Sequence, residues 1–360
     1  MQNPFKGKTI LVTGGTGSIG SEIVRQLLKK GPKVIRVFSR HEEGHHQLML
    51  ELAAFQPLVR FIIGDIRDKD RLALAMEGVD IVFHAAAMKH VPLCESNPFE
   101  AVKTNIIGTQ NLIEVARSAN VEHVIGISTD KAAEPESVLG TSKLMAEKLF
   151  LATYFYKGNK RTTFTCVRFG NVLGSRGSIL PLLKKQIVER GEVTVTDSNM
   201  TRFVMTIPQA VNLVLSAVAL SRGQEIFILK MSSAKLGDIV DAAIAHFAPQ
   251  AGKKPSDIRI RVIGKRAGEK LHERLLAEHE LARVLETKEM YILTPNETVG
   301  LQEYTPVYQG AVPGASTTYY SSEFAPKLSL EELSALIAQV DSPVCAEKGK
   351  ETVSKKRKKA

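Results

Sequence analysis

Between Ser128 and Lys143 the sequence reads STDKAAEPESVLGTSK. The stretch crowds two hydroxyls (Ser128, Thr129), a carboxylate (Asp130) and two ammonium groups (Lys131, Lys143). A carboxyl and an amine side by side can serve as acid and base on one substrate, taking a proton at one atom and delivering one at the next. On a surface the same pair would be a plain salt bridge, worth little. Its position favours chemistry: it follows the apolar run at residues 124–127 and precedes a helical pattern that begins near Leu139. The C-terminal end of a buried strand is where α/β sheets open their ligand crevice. Leu139 and Lys143 are four residues apart, one turn along the same helix face.

A second constellation lies near the start of the chain. The apolar β-rich run Thr9–Thr13 meets Gly14-Gly15-Thr16-Gly17-Ser18-Ile19-Gly20, and a helical pattern follows from residue 21 to 30. In that setting the backbone of Gly14, Gly17, Ser18, Ile19 and Gly20 can be laid against a pyrophosphate at the positive end of the helix. The spacing is G-x-x-G-x-x-G rather than the commoner G-x-G-x-x-G. The next strand ends Val37-Phe38-Ser39-Arg40-His41, with no acid at its tip. Ser39 and Arg40 therefore suit a 2′-phosphate, and the expected cofactor is NADP rather than NAD; the alternative is Arg40 stacked on adenine with Glu42 on the ribose. Asp65 is placed to meet the adenine amino group and Ile66 its face. Ala85 and Ala86 are small where a backbone must pass close to the cofactor. Asn105 either bridges backbone and site through water or lies on the surface.

These residues need a scaffold, and the pattern supplies one. Apolar runs at 9–13, 34–38, 59–63, 80–85, 124–127 and 164–169 alternate with helical patterns at 42–54, 68–76, 100–119 and 139–156. Buried strands separated by helices predict an α/β fold: a Rossmann-like, doubly wound parallel sheet with a smaller C-terminal substrate-binding domain. The expected division is a cofactor domain over 1–170, to which some later segments return, a substrate domain over 171–340, and a disordered basic tail over 341–360. In the second half, helices are expected at 181–190, 208–220, 236–246 and 328–340, and a strand at 258–263.

Composition narrows the class. The chain has 360 residues, 44% of them apolar, three cysteines and a net charge of +10. No long uncharged run suggests a membrane span, no signal peptide is expected, and so few cysteines suit a reducing, cytoplasmic setting. Seven Lys/Arg fall in residues 341–360, including the run Lys355–Lys359; the tail reads as solvated, with a membrane surface or RNA as the other reading. The remaining positive charge suits an anionic phosphorylated substrate, and no nucleic acid is expected as partner. His84, His90 and His272 lack compact ligand spacing, so no metal is expected.

The motifs GGTGSIG, FSRHE, GDIRD, HAAAMKHVPLCE, KTNIIGT, STDKAAEP, RFGNVLGSRGS, MTRF and GEKLHE occur in this order over residues 9–273. Together they resemble the extended short-chain dehydrogenase/reductases, and within them the UDP-N-acetylglucosamine 4,6-dehydratases. The resemblance implies oxidation at C4 of the sugar by NADP, loss of water across C5 and C6, and reduction at C6. It implies Lys131 as the C5 base, Asp130 as the acid for O6, Thr129 on the C4 oxygen and Lys143 on the nicotinamide ribose. As a base Lys131 needs a lowered pKa, from burial or from neighbouring cations such as Lys89. The resemblance carries Lys89, Asn171 and Val172 to the cofactor, and Lys89, Thr129, Asn171, Thr194, Arg202, Arg266 and Glu269 to the UDP-N-acetylhexosamine substrate. Arg202 and Arg266 would clamp the diphosphate, with Arg176 as a further contact; Glu269 would meet the ribose or fix an arginine, and Thr194 lies on the strand expected beside the uracil. It also implies a homo-oligomer, dimer or hexamer. Leu139 stands where the superfamily carries tyrosine and some branches of the dehydratase family methionine, and a leucine cannot take the C4 hydroxyl proton; Thr129, Asp130 or a water are the local substitutes. A UDP-sugar 4-epimerase would share the C4 oxidation but has no use for a C5 base. A catalytically silent NADP-binding protein would account for Leu139 but not for the retained acid and base.

Overall fold

A computed structural model of the chain describes residues 3–156, 161–295, 307–314 and 320–342. From residue 343 onward, the expected basic tail lies outside the described residues. No helix of the described residues is long and apolar enough to cross a membrane.

The strands are β1 (Thr9–Thr13), β2 (Val34–Ser39), β3 (Val59–Ile63), β4 (Ile81–His84), β5 (His123–Ile127), β6 (Thr163–Arg168), β7 (Asn171–Val172), β8 (Glu192–Val195), β9 (Thr201–Met205), β10 (Ile226–Leu229), β11 (Ser233–Lys235), β12 (Arg259–Val262), β13 (Val284–Glu286), β14 (Met290–Leu293) and β15 (Val312–Pro313). The main sheet has ten strands in the order β15-β13-β14-β10-β6-β5-β4-β1-β2-β3. From β3 to β10 every pairing is parallel, and β14, β13 and β15 join antiparallel. This is the Rossmann-like, doubly wound arrangement expected. Strand β1 is buried along its whole length, as a parallel strand covered on both faces must be. Strand order reverses between β1 and β4, and the crevice there opens at their C-terminal ends.

The alternation read from the sequence stops at Phe169, but the sheet does not. IFIL of β10 inserts beside β6, and the hairpin β13–β14 extends the edge. The helix Ile207–Leu220 packs on the helix Ser18–Leu28. A second apolar core gathers Leu183, Ile187, Val193, Ile239, Phe247 and Ile337, around the helices Ile179–Arg190, Leu236–Gln250 and Leu330–Asp341. After residue 170 the chain therefore feeds both cores.

One expected helix is interrupted to useful effect. The pattern at 100–119 is a short helix Pro98–Ala101, a π-helical turn Val102–Ile107 and a helix Gly108–Ser118. Such wide turns inside helices recur at functional positions, and this one carries Asn105.

Arg168, at the end of β6, is fully buried and forked between two carboxylates. Its Nε and Nη2 donate to Glu147 at 3.0 and 2.6 Å, and its Nη1 and Nη2 donate to Glu280 at 2.7 and 2.9 Å. Nη1 also donates to the Leu275 carbonyl at 2.8 Å. Desolvation works against the guanidinium, but the two carboxylates more than offset it and hold the charge. Removing the cation alone would strand two buried anions, which costs about 3–5 kcal/mol. Arg168→Leu is therefore expected to lose stability of that order in urea unfolding; a loss below about 1 kcal/mol would contradict the assignment.

Candidate active site

The site begins with a cradle. Gly14 sits at φ +63°, and a Cβ there would stand 2.7 Å from the backbone of Ala85 and Ala86. A Cβ at Gly20 would overlap the Gly14 carbonyl oxygen and lie 2.7 Å from the Gly15 Cα, whereas one at Gly17 would touch only the Gly14 oxygen at 3.0 Å. The loop is thus folded on itself and pressed against the turn after β4. The helix Ser18–Leu28 starts from Gly17 with no side-chain cap and no acid in its first turn. Its leading N–H groups face the crevice that these glycines keep clear, which fits a dinucleotide pyrophosphate. Ala85 and Ala86 are small for the reason the loop gives: Gly14 approaches their backbone.

The adenosine end departs from expectation in part. Ser39 Oγ lies 2.8 Å from Thr16 Oγ1 and 3.1 Å from His45 Nε2. Arg40 is exposed and reaches Asp65 at 3.6 Å. The Asp65 carboxylate already takes Arg67 Nε at 3.0 Å and Nη2 at 2.7 Å; burial raises its pKa, but Arg67 outweighs it and holds the group ionised. Ile66 does not offer a face to adenine: it is 4% exposed, and its side chain packs against the Gly108 backbone. Asn105 is neither on the surface nor waiting for water. Its Oδ1 accepts from Met88 N at 2.8 Å, and its Nδ2 donates to Met88 O at 3.2 Å and Ser142 Oγ at 2.9 Å. It fastens the strand-end loop to the helix Val138–Ala152. Val172 likewise packs into the main core.

A further loop crosses the cradle. Arg176 bonds the Thr16 carbonyl through its guanidinium, and its N–H donates to Ser18 Oγ at 2.9 Å. Lys89 donates to the Arg176 carbonyl; burial, then Arg176, lowers the lysine pKa.

The chemistry-bearing stretch starts where β5 ends. Asp130 N donates to the Phe169 carbonyl at 3.1 Å, so the turn after β5 is tied to the end of β6. Asp130 Oδ1 accepts from Thr129 Oγ1 at 2.8 Å and from Lys131 Nζ at 3.0 Å. Lys131 Nζ also lies 2.9 Å from Glu273 Oε1. The Asp130 and Glu273 side chains are 1% and 3% exposed, so this is no surface salt bridge. Burial pushes the Asp130 carboxyl up, and Glu273 adds to it against the pull of Lys131. Glu273 is held down: burial raises it, but Lys131 and Arg202 outweigh that. Lys131 departs from expectation. Burial alone would lower its pKa, but the two flanking carboxylates raise it. In this arrangement the lysine is an ammonium ion, not a ready base.

Around this cluster Lys143 Nζ donates to the Ile127 carbonyl at 2.5 Å, and burial lowers its pKa. Arg202 is held by the carbonyls of Thr201 (2.8 Å) and Leu271 (3.2 Å), with Nε 3.9 Å from Glu273. Asn171 Oδ1, Asp130 Oδ2 and Glu273 Oε2 are buried acceptors without a protein partner. Buried polar atoms are rarely left so, and three near one strand end mark a place for a polar ligand. Among the described residues no hydrogen bond or ion pair joins Thr194, Arg266 or Glu269 to the cluster. Thr194 is bonded to Gln186, and Arg266 N donates to Glu269 at 3.2 Å. Leu139 is 5% exposed, in a small apolar cluster with Cys94, Ala101, Met88, Val91 and Val138. No group of His, Cys, Asp and Glu among the described residues could hold a metal. His84, bonded between Thr13 at 2.8 Å and Thr109 at 3.2 Å, is pushed down to about 3 by burial and Lys143.

Glu273 is the residue that sequence reasoning missed. It closes the GEKLHE motif, whose first acid, Glu269, drew the assignment instead. The motif braces the stretch it serves: Lys270 Nζ donates to the carbonyls of Ala133 and Glu134, Arg274 pairs with Glu134, and Gly268 packs on Ser137. Glu134 itself is held at φ +49°.

Known proteins share this architecture. The model of a family described as polysaccharide biosynthesis protein matches residues 10–295. A Methanocaldococcus jannaschii protein named as an uncharacterized membrane protein is 57% identical over 295 residues, 82% of this chain and 88% of its own length. The inverting UDP-N-acetylglucosamine 4,6-dehydratase of Campylobacter jejuni is 43% identical, over 81% of this chain and 84% of its own. A UDP-glucose 4-epimerase of Rickettsia bellii is 37% identical, over 94% and 97%. Among solved structures, Pen from Bacillus thuringiensis superposes with a TM-score of 0.86 at 42% identity, over 93% of this chain and 98% of that one. The dTDP-glucose 4,6-dehydratase DesIV of Streptomyces venezuelae, solved with NAD and TYD bound, gives 0.66 at 25% identity, over 73% and 86%.

The cradle makes a graded prediction. Gly20→Ala is expected to abolish dinucleotide binding in a fluorescence titration, and Gly17→Ala to weaken it less, because only the first forces backbone apart. Equal affinities for the two variants would contradict the geometry.

Proposed function

This chain belongs to the polysaccharide biosynthesis protein family, and we propose that its reaction is the NADP-dependent 4,6-dehydration of UDP-N-acetylglucosamine to a UDP-2-acetamido-2,6-dideoxy-4-keto-hexose. It is an enzyme of the short-chain dehydrogenase/reductase superfamily with a Rossmann-like fold. The observation that carries the reading is the Thr129–Asp130–Lys131 contact at the end of β5, in which buried Asp130 takes the threonine hydroxyl at 2.8 Å and the lysine ammonium at 3.0 Å. The 43% identity to a protein named for this reaction supports it.

The glycine cradle holds the dinucleotide, Lys143 its nicotinamide ribose, and Ser39 with Arg40 the 2′-phosphate. When bound, the nicotinamide supplies the oxidant at C4 and the reductant at C6, so the overall reaction is redox-neutral.

The side chains handle the protons. Leu139 cannot accept the C4 hydroxyl proton, so Thr129 passes it to Asp130 along their 2.8 Å bond. The raised pKa of Asp130 suits it to keep that proton. Protonating Asp130 removes one of the two anions that hold Lys131 charged, and the ammonium releases its proton to water. The amine then takes the C5 proton. The C5–H pair becomes the C5–C6 double bond, the C6–O6 bond breaks, and O6 leaves as water with the proton from Asp130. Lys131 returns a proton to C5 when C6 is reduced, and water restores the ammonium. Arg202 and Arg266 neutralise the UDP diphosphate, Asn171 Oδ1 accepts from a sugar donor, and Lys89, Thr194 and Glu269 complete the substrate pocket. Self-association belongs to the same reading, supported by exposed Leu93, Phe99 and Met145 on the helices Val91–Ser96, Pro98–Ala101 and Val138–Ala152.

A 4-epimerase is the second reading, favoured by the 37% identity to a protein named UDP-glucose 4-epimerase. Mass spectrometry of UDP-N-acetylglucosamine incubated with the enzyme separates the two: loss of one water is expected, and an epimer of unchanged mass would overturn the dehydratase.

Two sets of variants test the roles. Lys131→Ala should lower kcat at least about 100-fold with NADP still bound, whereas Leu139→Tyr should bring no gain. A tenfold gain in Leu139→Tyr would contradict the Thr129–Asp130 route. Arg40→Ala should weaken NADP about tenfold and leave NAD unchanged; an equal loss for both would refute the 2′-phosphate assignment.

A further inference from the structure

We infer that Glu273 is a positioning residue: it fixes the Lys131 amine against the sugar and stabilises the positive charge that forms there as the C5 proton is taken. The role deepens the dehydratase reading above and rests on it. The argument starts from distance and burial. Glu273 arrives from a segment 142 positions further along the chain, yet its Oε1 lies 2.9 Å from Lys131 Nζ, in a site where its own side chain is 3% exposed. A carboxylate left there without purpose would be destabilising, because its desolvation is repaid only by good geometry on both oxygens. Here only one oxygen is engaged: Oε2 is buried and has no protein partner. That asymmetry suits a group shaped around a ligand better than a structural ion pair.

The segment is locked in place. Glu273 N donates to Ser322 Oγ at 2.9 Å, and Ser322 N donates back to the Glu273 carbonyl at 2.8 Å. Ser322 Oγ and His272 Nδ1 both meet Thr201 Oγ1, at 2.7 and 2.8 Å. Two residues on, the Leu275 carbonyl is taken by buried Arg168. The carboxylate is thus preorganised beside the amine before substrate arrives, and its field acts where charge develops without further reorganisation.

The electrostatics are local. Lys131 faces Asp130, Glu273 and Arg202; Glu273 faces Lys131, Arg202 and Lys270. When Asp130 carries the C4 proton, Glu273 is the anion left beside Lys131. The amine that removes the C5 proton then becomes an ammonium 2.9 Å from a fixed carboxylate. This is the orienting part that a buried aspartate plays for histidine in a hydrolytic triad, and like it Glu273 stays ionised throughout.

Glu273→Gln keeps the shape and removes the charge. It should lower kcat about tenfold or more while KM stays within about threefold, and it should move the rising limb of the kcat–pH profile to lower pH, since the lysine loses an anion. Glu273→Asp, which keeps the charge on a shorter arm, should lower kcat without moving that limb. A readout independent of turnover is acetylation by acetic anhydride, scored by peptide mass as the Lys131:Lys29 labelling ratio at about pH 9, below the ordinary lysine value. Glu273→Gln should raise that ratio about tenfold; an unchanged ratio overturns the proposal. Should that variant fail to fold, wild-type protein carries the test: Lys131 must label with a higher pH midpoint than exposed Lys29, and a lower one overturns the proposal. Wild-type enzyme that labels as expected yet releases no water from UDP-N-acetylglucosamine would sink the dehydratase reading instead.

Discussion

A guanidinium with no access to solvent sets the geometry on which this site depends. Arg168 ends β6, and through Glu280 and the Leu275 carbonyl it binds the 275–283 segment to the sheet. Through Glu147 it binds the helix Val138–Ala152, and the same carboxylate receives the hydroxyl of Ser128. Both ends of the reactive cluster are therefore tied to one ion. Ser128 directly precedes Thr129, Asp130 and Lys131, while Leu275 lies two residues after Glu273. A buried ion pair is a doubtful source of stability, since desolvation consumes most of the Coulomb gain. Its value here is register: a planar fork accepts carboxylates in few orientations, which an apolar contact of equal volume would not enforce.

The reactive cluster repeats the motif with opposite polarity. Two carboxylates, Asp130 and Glu273, flank one ammonium, and Arg202 stands 3.9 Å from Glu273 to complete the balance. The difference lies in satisfaction. Arg168 fills four of its donor contacts with carboxylate oxygens and a fifth with a carbonyl. Around Lys131, one oxygen of each carboxylate is left open. The first network is closed and holds shape. The second is incomplete, and a polar substrate is what would complete it.

Local patterns were legible in the sequence, and contacts between distant segments were not. The β1–glycine–helix unit and the STDKA turn are short-range features, fixed by turn chemistry and burial period, and the structure has them where they were expected. β10 was not legible because IFIL is too short to separate from a buried helix segment, and the hairpin β13–β14 because its strands are brief. Ile66 was assigned to adenine from its place after Asp65, but Gly108 takes its side chain. As a base Lys131 needs a lowered pKa, from burial or from a cation such as Lys89, but the carboxylates of Asp130 and Glu273 outweigh burial and raise it. The second of these anions, Glu273, lies 142 positions further along in the motif GEKLHE, and no local pattern brings it beside Lys131.

Leu139 then takes on a different meaning. Its side chain is not a vacancy where a phenol has been lost, since Cys94, Ala101, Met88 and Val91 close around it. The proton that a tyrosine would have taken still needs an acceptor. Thr129 is already bonded to a carboxylate whose pKa is raised by burial and by Glu273. A carboxyl so placed can collect the proton at C4 and surrender it at O6, two tasks that a tyrosine and a separate acid would otherwise divide. In the proposed dehydration the proton then leaves in the expelled water, so the absent phenol and the retained acid are accounted for together.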